Sequence, residues 1–198
     1  MRRRLAALSL IVTALLSPAG SALERAKGPP LKGEALQRAA ESMWRDLDQA
    51  TWIRDGRSRQ VLYVFFDPNC PYCQRVYRQA RPRVEAGAVE LRWIVVGVTT
   101  TTSHGKAAAM LESPDPTAAL HQNETDFSLA TGGLGGIMEE AVPHAETEAR
   151  LARNLALLRR SGFDGTPALL FRTKTGEVRF LLGAPPEAKL QAIFDQLE

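Results

Sequence analysis

The chain has 198 residues, 44% of them hydrophobic and 24% charged, a composition that supports a buried core and excludes a disordered or collagen-like chain. The formal net charge is +3, and Arg2, Arg3 and Arg4 carry it: removing these three from the 25 Lys and Arg leaves 22, against 22 Asp and Glu. A neutral remainder excludes a charge-driven nucleic-acid binder.

The elements follow in chain order. Arg2–Arg4, the apolar run Leu5–Leu16, Pro18 and the small residues Gly20-Ser21-Ala22 have the layout of a secretory signal peptide over 1–22. The apolar run is shorter than the ~20 residues a membrane-spanning helix needs. A polar, Pro/Gly-rich leader comes next. Gly33 to Asp55 reads as one helix, with Leu36, Ala40, Met43, Trp44, Leu47 and Thr51 at three- and four-residue spacing. Asp55-Gly56 supplies its stop. "VLYVFF", Val61 to Phe66, reads as a strand buried on both faces. A helix is expected from near Cys70, with Pro71 at its first position, kinked or interrupted at Pro82. "AVELRWIVVGV", Ala88 to Val98, is a second strand, so the segment forms a parallel βαβ unit.

Residues 103–161 read as helices and loops. "HAETEARLARNLALLRRSG" is the strongest of these helices, with Ala145, Ala149, Ala152, Leu155 and Leu158 on one side. "TPALLFRTKTGEVRFLLG" carries a hairpin signal at Thr173–Gly176, and the chain ends in a helix with Leu190, Ile193, Phe194 and Leu197 apolar. The order predicts an α/β, thioredoxin-like fold. A linker-type helix precedes it within residues 23–56, the catalytic domain spans 57–198, and a helical insertion at about 103–161 separates the βαβ and ββα halves.

The two cysteines, Cys70 and Cys73, stand two residues apart in "FFDPNCPYCQRVY". Zinc wants four ligands. The chain has no second cysteine pair, and His104, His121 and His144 lack ligand spacing and read as surface residues. A structural disulfide closing so small a loop stabilises little. Redox chemistry fits: a helix N-terminus lowers a thiol pKa, and a second cysteine one turn on can attack a mixed disulfide at the first. A CxxC that follows a buried strand and opens a helix in an exported chain is a specific signal.

The run from Val61 to Val98, with the earlier "SMWRDLDQATWIRDG" and the later "AAAMLESPDP" and "GTPALLF", resembles the DsbG/DsbC family of periplasmic thiol:disulfide interchange proteins, in its Cys-Pro-Tyr-Cys form. The resemblance implies Cys70 as the attacking cysteine, Cys73 as the resolving one, and Pro71-Tyr72 as the active-site loop between them. It also implies Thr166-Pro167 as a cis pair beside them, offering backbone to substrate. On the residues alone, an ordinary trans proline at a strand start is the simpler reading. The expected activity is periplasmic thiol:disulfide exchange of reductase or isomerase type, without cofactor or metal. It would act on proteins with disulfides or oxidised cysteines and be served by a membrane thiol-redox partner. A net oxidase of DsbA type and a peptide-binding or chaperone module are the alternatives. The family's N-terminal dimerisation domain has no counterpart before Gly33, so a monomer is expected, with the Gly33–Asp55 stripe packed on its own catalytic domain. Cys70 is expected to be exposed and alkylated first.

Overall fold

A computed structural model of the chain describes residues 30–128, 130 and 134–198; the expected signal peptide and most of the leader lie outside the described residues. Five strands form one mixed sheet in the order β1-β3-β2-β4-β5, with β1 Trp52–Asp55, β2 Val61–Phe66, β3 Glu90–Val95, β4 Ala168–Arg172 and β5 Val178–Leu182. β2 and β3 run parallel, joined through helix α2, Pro71–Glu85. The other pairings are antiparallel, and β4 and β5 form the expected hairpin, turning at Gly176 with φ 80°. Helices α3 (Ser103–Glu112), α4 (Pro116–Thr125) and α5 (Ala145–Arg159) lie between β3 and β4 in the chain, and α6 (Glu187–Gln196) follows β5.

The period-two alternation of the strands divides the core between the two sheet faces. Leu62, Val64 and Phe66 join Leu91, Trp93, Leu169 and Phe171 on one face, covered by Val76 and Ala80 of α2, Met110 of α3, Leu120 of α4, and Ile193 and Phe194 of α6. Tyr63, Phe65, Ile94, Ala168 and Leu170 share the other face with Ala40 and Met43 of helix α1 (Gly33–Arg45), and with Leu157 and Leu158 of α5.

Three expectations need correction. Gly33 to Asp55 is not one helix: α1 ends at Arg45, a short 3-10 turn spans Leu47–Gln49, and Trp52–Asp55 is strand β1, antiparallel to β3. The periodicity changes from helical to alternating there, because Ile53 and Asp55 turn inward while Arg54 stays out. The sheet therefore begins before the expected boundary at 56/57. α1 packs in cis, as its apolar stripe suggested: Trp44 meets Tyr63 edge-on with centroids 5.7 Å apart, and Gln37 Nε2 donates to the Val178 carbonyl of β5 at 3.0 Å.

The second correction concerns α5, whose buried residues are Thr147, Leu151, Asn154, Leu157 and Leu158, while Ala145, Ala149 and Ala152 are exposed. Asn154 faces inward because its amide is satisfied there, donating to the carbonyls of Thr51 (2.8 Å) and Val95 (2.9 Å) and accepting from Thr51 N at 2.9 Å. Third, α2 is not interrupted at Pro82 and continues to Glu85. The ring sits on the exposed side, where the carbonyl it leaves without a helical donor can meet water. Of the three histidines, His121 is half-exposed yet bonds the buried Asp55 at 3.0 Å. Arg81 of α2 also pairs with Asp55, and Trp93 Nε1 donates to it at 3.2 Å, so α2, α4, β1 and β3 meet on one carboxylate.

Candidate active site

β2 delivers the chain to Asp67-Pro68-Asn69, which are wholly buried. The Asp67 carboxylate accepts four hydrogen bonds: from Asn69 N (2.9 Å), Val98 N (2.6 Å), Thr99 N (2.9 Å) and Ser103 Oγ (2.8 Å). It thereby ties the end of β2 to the loop after β3 and to the start of α3. Asn69 reaches further. Its Nδ2 donates to Thr100 Oγ1 (2.7 Å) and Thr102 Oγ1 (2.9 Å), and its Oδ1 accepts from Gly135 N at 3.0 Å. A Cβ at Gly135 would collide with the Pro68 carbonyl and the Asn123 amide, so only glycine fits there.

Cys70 is the N-cap of α2, with extended φ −88° and ψ 112°, and Pro71 opens the helix as the sequence predicts. Cys73 lies one turn in, its N–H donating to the Cys70 carbonyl at 3.0 Å. Thr166 and Pro167 come from the loop before β4 and are joined by a cis bond. The Cys70 thiol donates to the Thr166 carbonyl at 3.3 Å. The Thr166 hydroxyl is buried and lies beside both sulfurs. The structure thus brings Cys70, Pro71, Tyr72, Cys73, Thr166 and Pro167 to one place.

Exposure differs from expectation. Cys70 is only 4% exposed, whereas Tyr72 is 56% exposed. The Asp67–Asn69 segment and the Thr166-Pro167 loop close around the sulfur, and Tyr72, with Arg75 over its ring at 5.1 Å, stands outward beside it.

The two sulfurs are electrostatically unlike. The Cys73 thiol, donating to the Cys70 sulfur, is the main cause that brings the Cys70 pKa down to about 7; burial opposes it, and Thr166 and the N–H groups of Cys73 and Tyr72 add to the lowering. Cys73 is pushed well above the ordinary thiol value, first by burial and then by the neighbouring Cys70. As pH rises through about 7 the pair comes to hold one thiolate, at the helix terminus, and one thiol beneath it.

Three buried polar residues of this neighbourhood escaped the sequence reading. Asn123 of α4 donates to the Pro68 carbonyl at 2.9 Å and to Glu124 Oε1 at 2.8 Å. Glu124 is 1% exposed, and its pKa is raised to about 8, chiefly by burial. Lys106 of α3 donates to the Gly135 carbonyl at 2.5 Å, and burial lowers its pKa. Nothing local marks them: Asn123 and Glu124 sit inside the polar run His121–Thr125 that ends α4.

Residues 47–198 match the family model of the thioredoxin-like domain. The thiol:disulfide interchange protein DsbG of Pseudomonas aeruginosa is 38% identical over 175 residues, covering 85% of this chain and 66% of its own length. DsbG of Escherichia coli (strain K12) is 34% identical over 165 residues, covering 82% of this chain. The chain spans 66% and 64% of the lengths of these two relatives. Among solved structures, a disulfide interchange protein from Neisseria gonorrhoeae aligns with TM-score 0.54 at 24% identity, over 75% of this chain and 95% of its own. The thiol-disulfide exchange protein alpha-DsbA2 of Wolbachia pipientis aligns with TM-score 0.59 at 15% identity, over 83% and 98%. At these identities the two structures speak for the fold.

Proposed function

The chain belongs to the thioredoxin-like domain family, and from that premise we propose that it is an exported thiol:disulfide oxidoreductase similar in activity to DsbG, working through Cys70 and Cys73. The observation that carries the reading is the split between the two sulfurs. One is brought down to about 7 at a helix N-terminus, and the other is held protonated one turn inside.

The chemistry follows from that split. The Cys70 thiolate attacks a sulfur of a substrate disulfide, displacing the other sulfur as a thiolate, or the sulfur of a sulfenic acid, displacing hydroxide, and a mixed disulfide forms. Cys73 then gives up its proton and attacks Cys70 Sγ, and the substrate leaves reduced. Thr166-Pro167, whose carbonyl side already meets Cys70 Sγ, offers backbone beside the sulfur for an extended substrate segment. The compartment is the periplasm, supported by the signal-like first 22 residues. There the chain acts as a monomer on proteins with disulfides or oxidised cysteines, and a membrane thiol-redox protein restores its pair.

Replacing Cys73 by Ser should trap substrates as mixed disulfides on Cys70, and replacing Cys70 by Ser should abolish both trapping and insulin-disulfide reduction. Reduction that survives Cys70→Ser overturns the reading. Thiol trapping in cells reads the direction: a mostly reduced pair supports the reductase or isomerase role, and a mostly oxidised pair an oxidase.

A further inference from the structure

Helix α2 carries Arg75, Arg78, Arg81 and Arg83. The two far from the cysteines are paired with carboxylates, Arg81 with the buried Asp55 and Arg83 with Asp195 at 2.8 Å. Arg75 and Arg78, the two nearest Cys70 and Cys73, are exposed and meet no carboxylate among the described residues. Three-residue spacing sets Tyr72, Arg75 and Arg78 each beside the next on the helix surface, so an exposed ring and two cations lead away from the cysteines.

Arg75 is held in place. Its guanidinium lies over the Tyr72 ring at 5.1 Å, and Nη2 donates to the Ala184 carbonyl at 3.3 Å. Ala184 follows Gly183, whose N–H donates to the Pro167 carbonyl at 2.8 Å, and the Thr166 carbonyl accepts from Cys70 Sγ at 3.3 Å. A closed circuit of contacts thus runs from the sulfur through Thr166-Pro167 and Gly183-Ala184 to Arg75, and back through Tyr72. It fixes one cation at the edge of the exchange site. Beyond it opens a cavity of about 430 Å³ lined by Gln74, Arg75, Arg78, Gln79 and Glu187. Glu187 is the one carboxylate of that lining. It stands in the first turn of α6, where a helix N-terminus compensates a negative charge, and it leaves the two arginines in excess.

We propose that Tyr72, Arg75 and Arg78 form a docking stripe for an acidic protein segment, so that the chain favours substrate disulfides flanked by Asp and Glu. The proposal rests on the Cys70–Cys73 exchange reading and adds to it the class of substrate. A segment that reaches Cys70 along Thr166-Pro167 lays one flank over the stripe. There each guanidinium fork can donate to a carboxylate in two prongs, while the ring and the arginine stems cover apolar atoms. Apart from Arg2–Arg4 the charges of the chain balance, 22 against 22, so the selection comes from this local excess and not from net charge. Exposed charges act over roughly 8 Å at physiological ionic strength. The selection therefore reads residues close to the substrate cysteine and weakens with salt.

Three disulfide peptides, alike at their cysteines and flanked by Glu, by Ser or by Lys, test this. Their reduction by the reduced protein is followed in stopped flow. Reduction by dithiothreitol, which also attacks through a thiolate, removes each peptide's intrinsic reactivity. Relative to that reference, the Glu peptide should react about fivefold faster than the Lys peptide at low salt, and the ratio should fall toward one at high salt. Arg75→Gln with Arg78→Gln should bring the ratio near one, and Arg75→Glu with Arg78→Glu should invert it. Arg153→Glu, a charge reversal on the exposed side of α5, should leave it as in wild type. Equal relative rates for the Glu and Lys peptides in wild type, a preference that survives Arg→Gln at both positions, or an equal loss in Arg153→Glu overturns the proposal. Should the double variants not fold, Arg78→Gln alone should lower the wild-type ratio by about half, and an unchanged ratio overturns the proposal. Failure to reduce even the Ser peptide sinks the exchange reading itself; reduction of all three at equal relative rates sinks only this inference.

Discussion

Replacing Glu124 by Gln should make the reduced protein's stability less sensitive to pH, and the effect should be large. The carboxyl titrates near 4.5 when unperturbed and at about 8 in the folded protein. Between those values the folded state holds a proton that the unfolded chain has lost. Stability contributed by that proton is complete below pH 4.5 and is lost as pH rises through 8. At 1.36 kcal/mol per pH unit the whole span is worth about 5 kcal/mol, and the window from pH 5 to 8 about 4 kcal/mol. Glutamine has no such span. It brings a fixed cost instead, since its second amide group must sit where Oε2 finds no partner, at about 1–3 kcal/mol for an unsatisfied buried group. E124Q should therefore be near or below wild type at pH 5 and gain on it by several kcal/mol at pH 8. Urea unfolding followed by tryptophan fluorescence, under reductant at both pH values, measures the difference. Cys70 titrates in both proteins, so its contribution largely cancels. A stability difference between variant and wild type that stays constant from pH 5 to 8 would refute the assignment of a buried protonated acid.

Thiolate absorbance of the reduced protein should titrate with a midpoint of about 7 for Cys70. In Cys73→Ala, which removes the main lowering contact, the midpoint should rise by about one to two units, since a hydrogen bond to a charged group is worth about 1.5–3 kcal/mol; an unmoved midpoint contradicts the assigned cause. Iodoacetamide should modify Cys70 before Cys73 despite its low exposure, and equal rates contradict the split. Asp67→Ala strands the N–H groups of Asn69, Val98 and Thr99 and should lower stability by roughly 3 kcal/mol or more, with faster hydrogen exchange over residues 98–103. Met43→Ala should cost about 2–5 kcal/mol, because Met43 is fully buried against the sheet; a change under about 0.5 kcal/mol would mean α1 is not part of the folded body. Sedimentation at micromolar concentration should give a monomer.

What could be read from the sequence was what repeats or what is rare. β2 and β3 are long apolar runs, the hairpin has its glycine, and a cysteine pair after a strand has few physical explanations. β1 was hidden because Leu47 and Thr51 happen to continue the spacing of α1, although the chain changes period after the 3-10 turn. α5 misled for the opposite reason. Its alanines made an apparent apolar face, while Asn154 and Thr147 turn inward to meet backbone and side-chain partners contributed by distant parts of the chain. Cys70 was expected in the open because reactive thiols need access. Its burial depends on Thr166, 96 residues away, a contact that no local pattern records.

The same reasoning explains why the deepest part of the site was the least legible. Asp67, Asn69, Asn123 and Glu124 carry no motif, and each is ordinary in isolation. They become informative only as a connected set. Asp67 fixes the loop after β3, Asn69 holds that loop and Gly135 together, and Asn123 hangs α4 on the Pro68 carbonyl. Helices α3 and α4 are thereby bonded to the three residues that precede Cys70, so they shape the surroundings of the sulfur along with the sheet.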